Sequence, residues 1–299
     1  MSTAANTGRS SSASLVLPTL LLIASTLGVA WQAGLFSPPA PDAVLLMPET
    51  VIVQPRHFAY RADGEFIKGT HVVDPPMIAV DEHAPLAIMK YQVTASDYLT
   101  CVAEGVCTQP EAKFTDQSNV PVTGVSFDDA QVYAGWLSEK TGMVWTLPSD
   151  RQLAFAAGRA FPDDALGLDP DNKNPAIRWL ADYKREAAEK AGRDPVPRAI
   201  GSYGINEFGL ADFGGNVWEW TTTCHRRATL DESGTISRSE PNCGVYVTVG
   251  SHRSPMSSFV RDPKGGGCAV GTPPSNLGFR LVRDDRWYAS MLRMLRLDI

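Results

Sequence analysis

The seven residues Gly214-Gly215-Asn216-Val217-Trp218-Glu219-Trp220 are the most distinctive stretch of the chain. They set two glycines, which free the backbone, beside a carboxamide, a carboxylate and two indole rings. Around them helical periodicity fails. From Gly201 onward, glycines, aromatics and short runs such as Val245–Val249 and Phe279–Val282 predict turns and short strands. Upstream the pattern is helical. Thr94 can cap a helix over Ala95–Glu104 that Gly105 ends. Ser126, followed by Asp128 and Asp129, opens a second helix with Ala130, Tyr133, Ala134 and Leu137 on one face and Gly142 as its stop. Ser149 opens a third, and Ile177–Ala191 predicts a fourth, beyond a polar, Asp-rich insertion at Phe161–Asn174. Strands are expected at Val51–Val53, His57–Tyr60, Met77–Val80 and in Ala87–Val93. With no internal repeat, this order reads as one loop-rich α+β domain.

Composition narrows the function. The chain has 299 residues, 43% of them apolar, with 27 basic and 33 acidic side chains for a net charge of −6. That argues against disorder, a collagen-like chain and a small disulfide-stapled module. No Lys/Arg block is long enough to track phosphates, so no nucleic-acid partner is expected. Glycine (25) and proline (22) are abundant, in keeping with many loops.

Residues 1–37 read as a signal anchor. No charge falls between Arg9 and Asp42, and the apolar run Leu15–Ala33 would reach roughly 28 Å as a helix, about one hydrocarbon thickness. A cleaved signal peptide, with Ala30 and Ala33 near the cut, is the alternative. The expectation is a single-pass protein of a bacterial-type inner membrane, touching lipid through residues 15–33, with its main domain in the periplasm. Residues 38–50 form a Pro-rich linker, 51–283 the domain and 284–299 an amphipathic tail around Trp287, Met291, Arg293 and Arg296. That tail docks on its own domain, on a partner or on the membrane surface. In an oxidising compartment Cys101 could bridge Cys107 and Cys224 could bridge Cys243. This leaves Cys268 over, and other pairings stay open. The histidines are scattered and predict no shared metal site.

Five further pieces fall in one order with Gly214–Trp220. They are Tyr91-Gln92-Val93-Thr94 with Tyr98; Pro121–Leu137; Leu147-Pro148-Ser149 with Phe155-Ala156-Ala157; Asn206-Glu207-Phe208-Gly209-Leu210; and Asn276-Leu277-Gly278-Phe279-Arg280. The series, spanning about residues 51–283, resembles the formylglycine-generating enzyme, or sulfatase-modifying factor, superfamily. The resemblance implies that family's loop-rich α+β fold, distantly similar to C-type lectins, with Trp218 and Trp220 packed in the core and Arg280 paired internally. It also implies calcium, held through Asn216 and Glu219 with backbone carbonyls, and a second candidate site at Asn174 and Asp182.

The resemblance breaks where the chemistry would be. Sulfatase-maturing members hold copper(I) with two cysteines after a Gly-Gly-Ser segment, because a soft ion needs soft thiolates. Here the run is Val249-Gly250-Ser251-His252-Arg253-Ser254-Pro255-Met256-Ser257-Ser258-Phe259. The cysteine positions fall on Ser254 and Phe259, or on Met256 if a gap is allowed. Copper is therefore disfavoured, and with it ordinary formylglycine-generating oxidase activity. Ser251, His252 and Arg253 are left as candidates for a residual pocket. The expected function is a membrane-tethered, exported accessory, assembly or stabilising subunit for another membrane or periplasmic protein. The alternative is a periplasmic oxidoreductase or protein-modifying enzyme with a different site.

Overall fold

A computed structural model describes residues 47–111, 119–191, 196–263 and 276–294. The apolar run 15–33 and Cys268 lie outside the described residues. Among the described residues, no helix is long and apolar enough to cross a membrane.

The described residues open with six strands: β1 (Thr50–Val53), β2 (Arg56–Arg61), β3 (Glu65–Lys68), β4 (His71–Val73), β5 (Met77–Glu82) and β6 (Leu86–Met89). Helices α1 (Ala95–Ala103) and α2 (Phe127–Thr141) follow, then β7 (Val144–Thr146), α3 (Asp150–Ala157) and α4 (Pro175–Ala191). A long hairpin of β8 (Trp218–Leu230) and β9 (Ile236–Val249) leads to β10 (Arg253–Ser257), β11 (Leu277–Gly278), β12 (Val282–Asp284) and α5 (Ala289–Met294).

The caps explain where the helices start. Thr94 Oγ1 accepts the Asp97 amide at α1. Ser126 with Asp129, and Ser149 with Gln152, each form reciprocal capping boxes at α2 and α3. Gly142 ends α2 in the left-handed conformation. Cys101 bridges Cys107 just past the end of α1, and Cys224 bridges Cys243 across the β8–β9 hairpin.

Strands from both ends of the domain meet in an antiparallel sheet of order β1-β6-β12-β7. The larger sheet runs β10-β9-β8-β3-β4, with β11 beside β8; β3 and β11 lie parallel to β8. Strands β2 and β5 pair separately. Only Val245–Val249 of β9 carries the apolar signal expected of it; Ile236–Gly244 is exposed and polar, joined to β8 by backbone pairing, the Cys224–Cys243 bridge and the Ser237 hydroxyl on the Thr229 carbonyl. In the tail, Ala289 is buried and α5 lies against β7, while Trp287 stands 91% exposed.

Trp220 is fully buried, and its indole N–H donates to the Val125 carbonyl at 3.0 Å. Tyr98, Tyr133 and Phe279 close the same core with stacked and edge-on rings. Through this apolar interior runs one charge pair. Arg280, 0% exposed, donates Nε to Glu219 Oε2 at 2.5 Å and Nη2 to Oε1 at 2.7 Å. Its remaining N–H groups reach the carbonyls of Lys90 and Ala211, and Gln92 donates to Glu219 Oε1 at 2.9 Å.

Removing one partner of such a pair strands the other charge. Arg280→Met and Glu219→Leu are each expected to lose about 3–5 kcal/mol by urea unfolding. The double variant should lose far less than the sum. Additive losses would show that the two side chains act independently.

Candidate functional site

A cleft of about 840 Å³ opens beside β10. One wall comes from Ala62–Phe66 and His71–Val73, the floor from Val247 and His252–Pro255, and the facing wall from Asn174, Arg178, Trp179 and Asp182 around the start of α4. Local backbone geometry sets the floor. Gly64 turns the chain between β2 and β3 with a positive φ of 103°, and a Cβ there would sit 2.5 Å from the Arg226 carbonyl. Only glycine lets Asp63 reach the floor at this turn. At the other end Gly250 lies under the Trp218 ring, where a Cβ would come within 2.7 Å of the indole.

Charges meet at the bottom of this cleft. Arg253 donates Nε to Asp164 Oδ2 at 2.6 Å, Nη1 to Asp150 Oδ2 at 3.3 Å and Nη1 to the Arg61 carbonyl at 2.8 Å. Arg226 pairs with Asp63 Oδ1 at 3.3 Å. Asp163 of the insertion also grips Arg61. Among the buried polar atoms without a hydrogen-bond partner are Asp63 Oδ2, His71 Nδ1 and the Ser254 hydroxyl on the lining, and Asp150 Oδ1 behind it. Burial pushes the Asp150 carboxyl up to about 7; Arg253 pulls it down, while Asp63 and Asp164 add to the rise. Burial likewise lowers His225, with Asp63 and Glu65 opposing.

Of the candidates read from sequence, His252 and Arg253 line the cleft, whereas Ser251 is exposed and does not. His252 is buried, its ring edge-on to Trp218 with centroids 4.0 Å apart. Arg253 does contact the polar insertion, through Asp164.

The positions aligned with the copper cysteines do not converge on a metal. Ser254 and Met256 are buried, the latter in the main core, and Phe259 is 73% exposed. A hydroxyl, a thioether inside the core and a solvent-facing phenyl do not fit copper(I).

The calcium candidates also have other partners. Both Glu219 oxygens face Arg280, whose guanidinium supplies the positive charge that a cation would bring. Asn216 Oδ1 accepts the Arg198 amide at 2.7 Å. Asn174 Oδ1 accepts the Ala176 amide, and Asp182 pairs with Arg185. The Glu219 position does not fit calcium. Among the described residues, no cluster of three or more His, Cys, Asp or Glu side chains is set to hold a metal.

Asp63, Asp150, Asp164 and His225 carry much of the cleft's chemistry, yet none stood out in the sequence. Asp150 reads there as the end of an extended entry to a helix and Asp164 as part of the polar insertion. Asp63 lies in no motif, and His225 is one of five scattered histidines. Only the Asp-rich insertion hinted at charged partners for Arg253.

Because the folded Asp150 titrates above its ordinary range, it favours the fold when protonated. That contribution is present below about pH 4 and is lost as pH rises through 7. Relative to Asp150→Asn, the native chain should lose stability between pH 4.5 and 7.5, by on the order of 1 kcal/mol per pH unit. Urea midpoints across that range measure it; parallel curves would refute the buried titration.

Comparison with known proteins agrees with this architecture. The profile of the FGE-sulfatase family, described as the sulfatase-modifying factor enzyme 1-like domain, matches residues 36–285. The formylglycine-generating enzyme of Streptomyces coelicolor is 30% identical over 182 residues, covering 57% of this chain and 54% of that one. That of Mycobacterium tuberculosis is 32% identical over 200 residues, covering 58% and 60%. The inactive Cα-formylglycine-generating enzyme 2 of Bos taurus is 24% identical over 176 residues, covering 57% and 52%. The chain thus spans 52–60% of the length of these relatives. Among solved structures, PvdO from Pseudomonas aeruginosa shares the fold with a TM-score of 0.51 at 22% identity, covering 80% of this chain and 95% of that one. A match running through every strand and through α1 to α4 makes the chain a member of the sulfatase-modifying factor enzyme 1-like family.

Proposed function

We propose that this chain is a membrane-tethered accessory domain that keeps the family's scaffold without its copper chemistry and presents the cleft to another envelope or membrane protein. The observation that carries this reading is the fate of the thiolate positions. Ser254 is buried, Phe259 faces solvent and Met256 belongs to the core, so these positions form no pair of soft ligands. A relative named as inactive gives a precedent for the fold without formylglycine generation. The apolar run 15–33 supports the tether, since it would hold the domain within reach of membrane partners.

A second reading, a periplasmic oxidoreductase or protein-modifying enzyme, draws on the cleft. Its lining holds Asp63, with one uncommitted carboxylate oxygen, and His225, a grouping that can move protons.

Two measurements on the full chain in mild detergent separate these readings. The accessory reading expects no stoichiometric copper after loading with Cu(I) and desalting, no aldehyde formed on a cysteine-containing peptide, and a partner at fixed stoichiometry in gently solubilised membranes. A chain that stays alone across conditions counts against it. Stoichiometric copper or iron, lost on substitution of His252 or Cys268, would favour the enzyme.

A further inference from the structure

The cleft carries unmatched acceptor capacity that points to a ligand. On its lining Asp63 pairs with Arg226 and Asp164 with Arg253, and Asp150 is buried behind Arg253. The arginines around the rim are already matched: Arg227 with Glu65, Arg178 with Asp74 and Arg185 with Asp182. Lys173 stands exposed at the edge. What remains unmatched is acceptor capacity, and it is buried. Asp63 is 7% exposed and its Oδ2 has no donor; Ser254 is 1% exposed and its hydroxyl has no partner. Buried polar groups left unpaired are costly, so their presence on the lining of an open cleft marks where a donor would be welcomed.

The shape of the vacancy selects among donors. Asp63 Oδ1 is held by Arg226, leaving one free carboxylate oxygen rather than a fork. A guanidinium gains most from two parallel bonds, whereas an ammonium is a point charge whose N–H groups turn to suit single acceptors. The wall adds an apolar surface. Trp179, 68% exposed, lines the cleft with its ring stacked on Tyr183 at 5.8 Å, although nothing in the helix itself requires two solvent-facing aromatics. An indole face attracts a cation and packs against a methylene stem.

We propose that the cleft binds a primary alkylammonium group, with the nitrogen seated on Asp63 and Ser254 and the stem laid along Trp179. The group can come from a lysine side chain of a partner or from a small free amine, and both share this chemistry. The inference deepens the accessory reading by giving its cleft a ligand class.

The test uses the full chain in detergent and follows tryptophan fluorescence during titration with N-acetyl-lysine amide, n-butylammonium and the uncharged N-acetyl-norleucine amide. Saturable binding of at least one cationic probe is expected, with the neutral one at least about tenfold weaker. Preference for the lysine amide indicates a partner side chain, and preference for butylammonium a free amine. Asp63→Asn should weaken binding about tenfold or more, and Trp179→Ala about threefold. Because Asp63→Asn also disturbs Arg226, Ser254→Ala is the safer variant. Its hydroxyl has no partner to lose, and it should weaken binding severalfold with the urea midpoint unchanged. Equal binding of the neutral probe, or unchanged affinity in both Asp63→Asn and Ser254→Ala, would overturn the proposal. Retention of a membrane partner by a native chain that binds neither cationic probe would sink the ammonium site and leave the accessory role standing. Amine binding without any partner would do the reverse.

Discussion

The domain is organised around a guanidinium and a carboxylate that meet without water. Arg280 and Glu219 come from the two motifs that the β11–β8 pairing joins, and their mutual bonds, with those to Lys90, Ala211 and Gln92, pin four separated segments to one point. Such a pair gains little net energy over apolar packing, because both charges give up their hydration. What it adds is discrimination: a misregistered arrangement would leave a bare charge in the interior. In a fold with short strands and long loops, periodicity cannot fix the register of irregular segments, and this pair supplies part of what periodicity does elsewhere.

That role explains why the Gly-Gly-Asn-Val-Trp-Glu-Trp stretch can persist where copper ligands do not. Trp218 sits over Gly250, Trp220 reaches Val125 and Glu219 holds Arg280, so the stretch is occupied by packing and polarity. Ser254 and Phe259 can stand where thiolates stood without touching the central pair, so the scaffold and the chemistry are separable.

Legibility in the sequence followed the same division. The helices could be read because their signals are local: Thr94, Ser126 and Ser149 cap the residues beside them, and Gly142 stops the turn just before it. The outer half of β9 was illegible, since a solvated strand held by cross-strand backbone bonds needs no apolar alternation. The cleft was half legible. His252 and Arg253 lie in a motif-like run and were found. Asp63, Asp150 and His225 belong to three separate elements and acquire meaning only when Gly64 turns the chain and β3 pairs in parallel with β8. Ionic partners far apart in sequence leave no periodic trace.

The insertion and α4 stand apart from this central order. They form one side of the cleft yet are fastened by side chains, Asp164 to Arg253 and Asp171 to Lys68, rather than by strand pairing. Lengthening or shortening such a surface excursion costs only a logarithmic entropy, about 0.6 kcal/mol per doubling. That wall of the cleft is therefore interchangeable at small thermodynamic cost. Across a lineage it can be rewritten while the interior that folds the protein stays as it is.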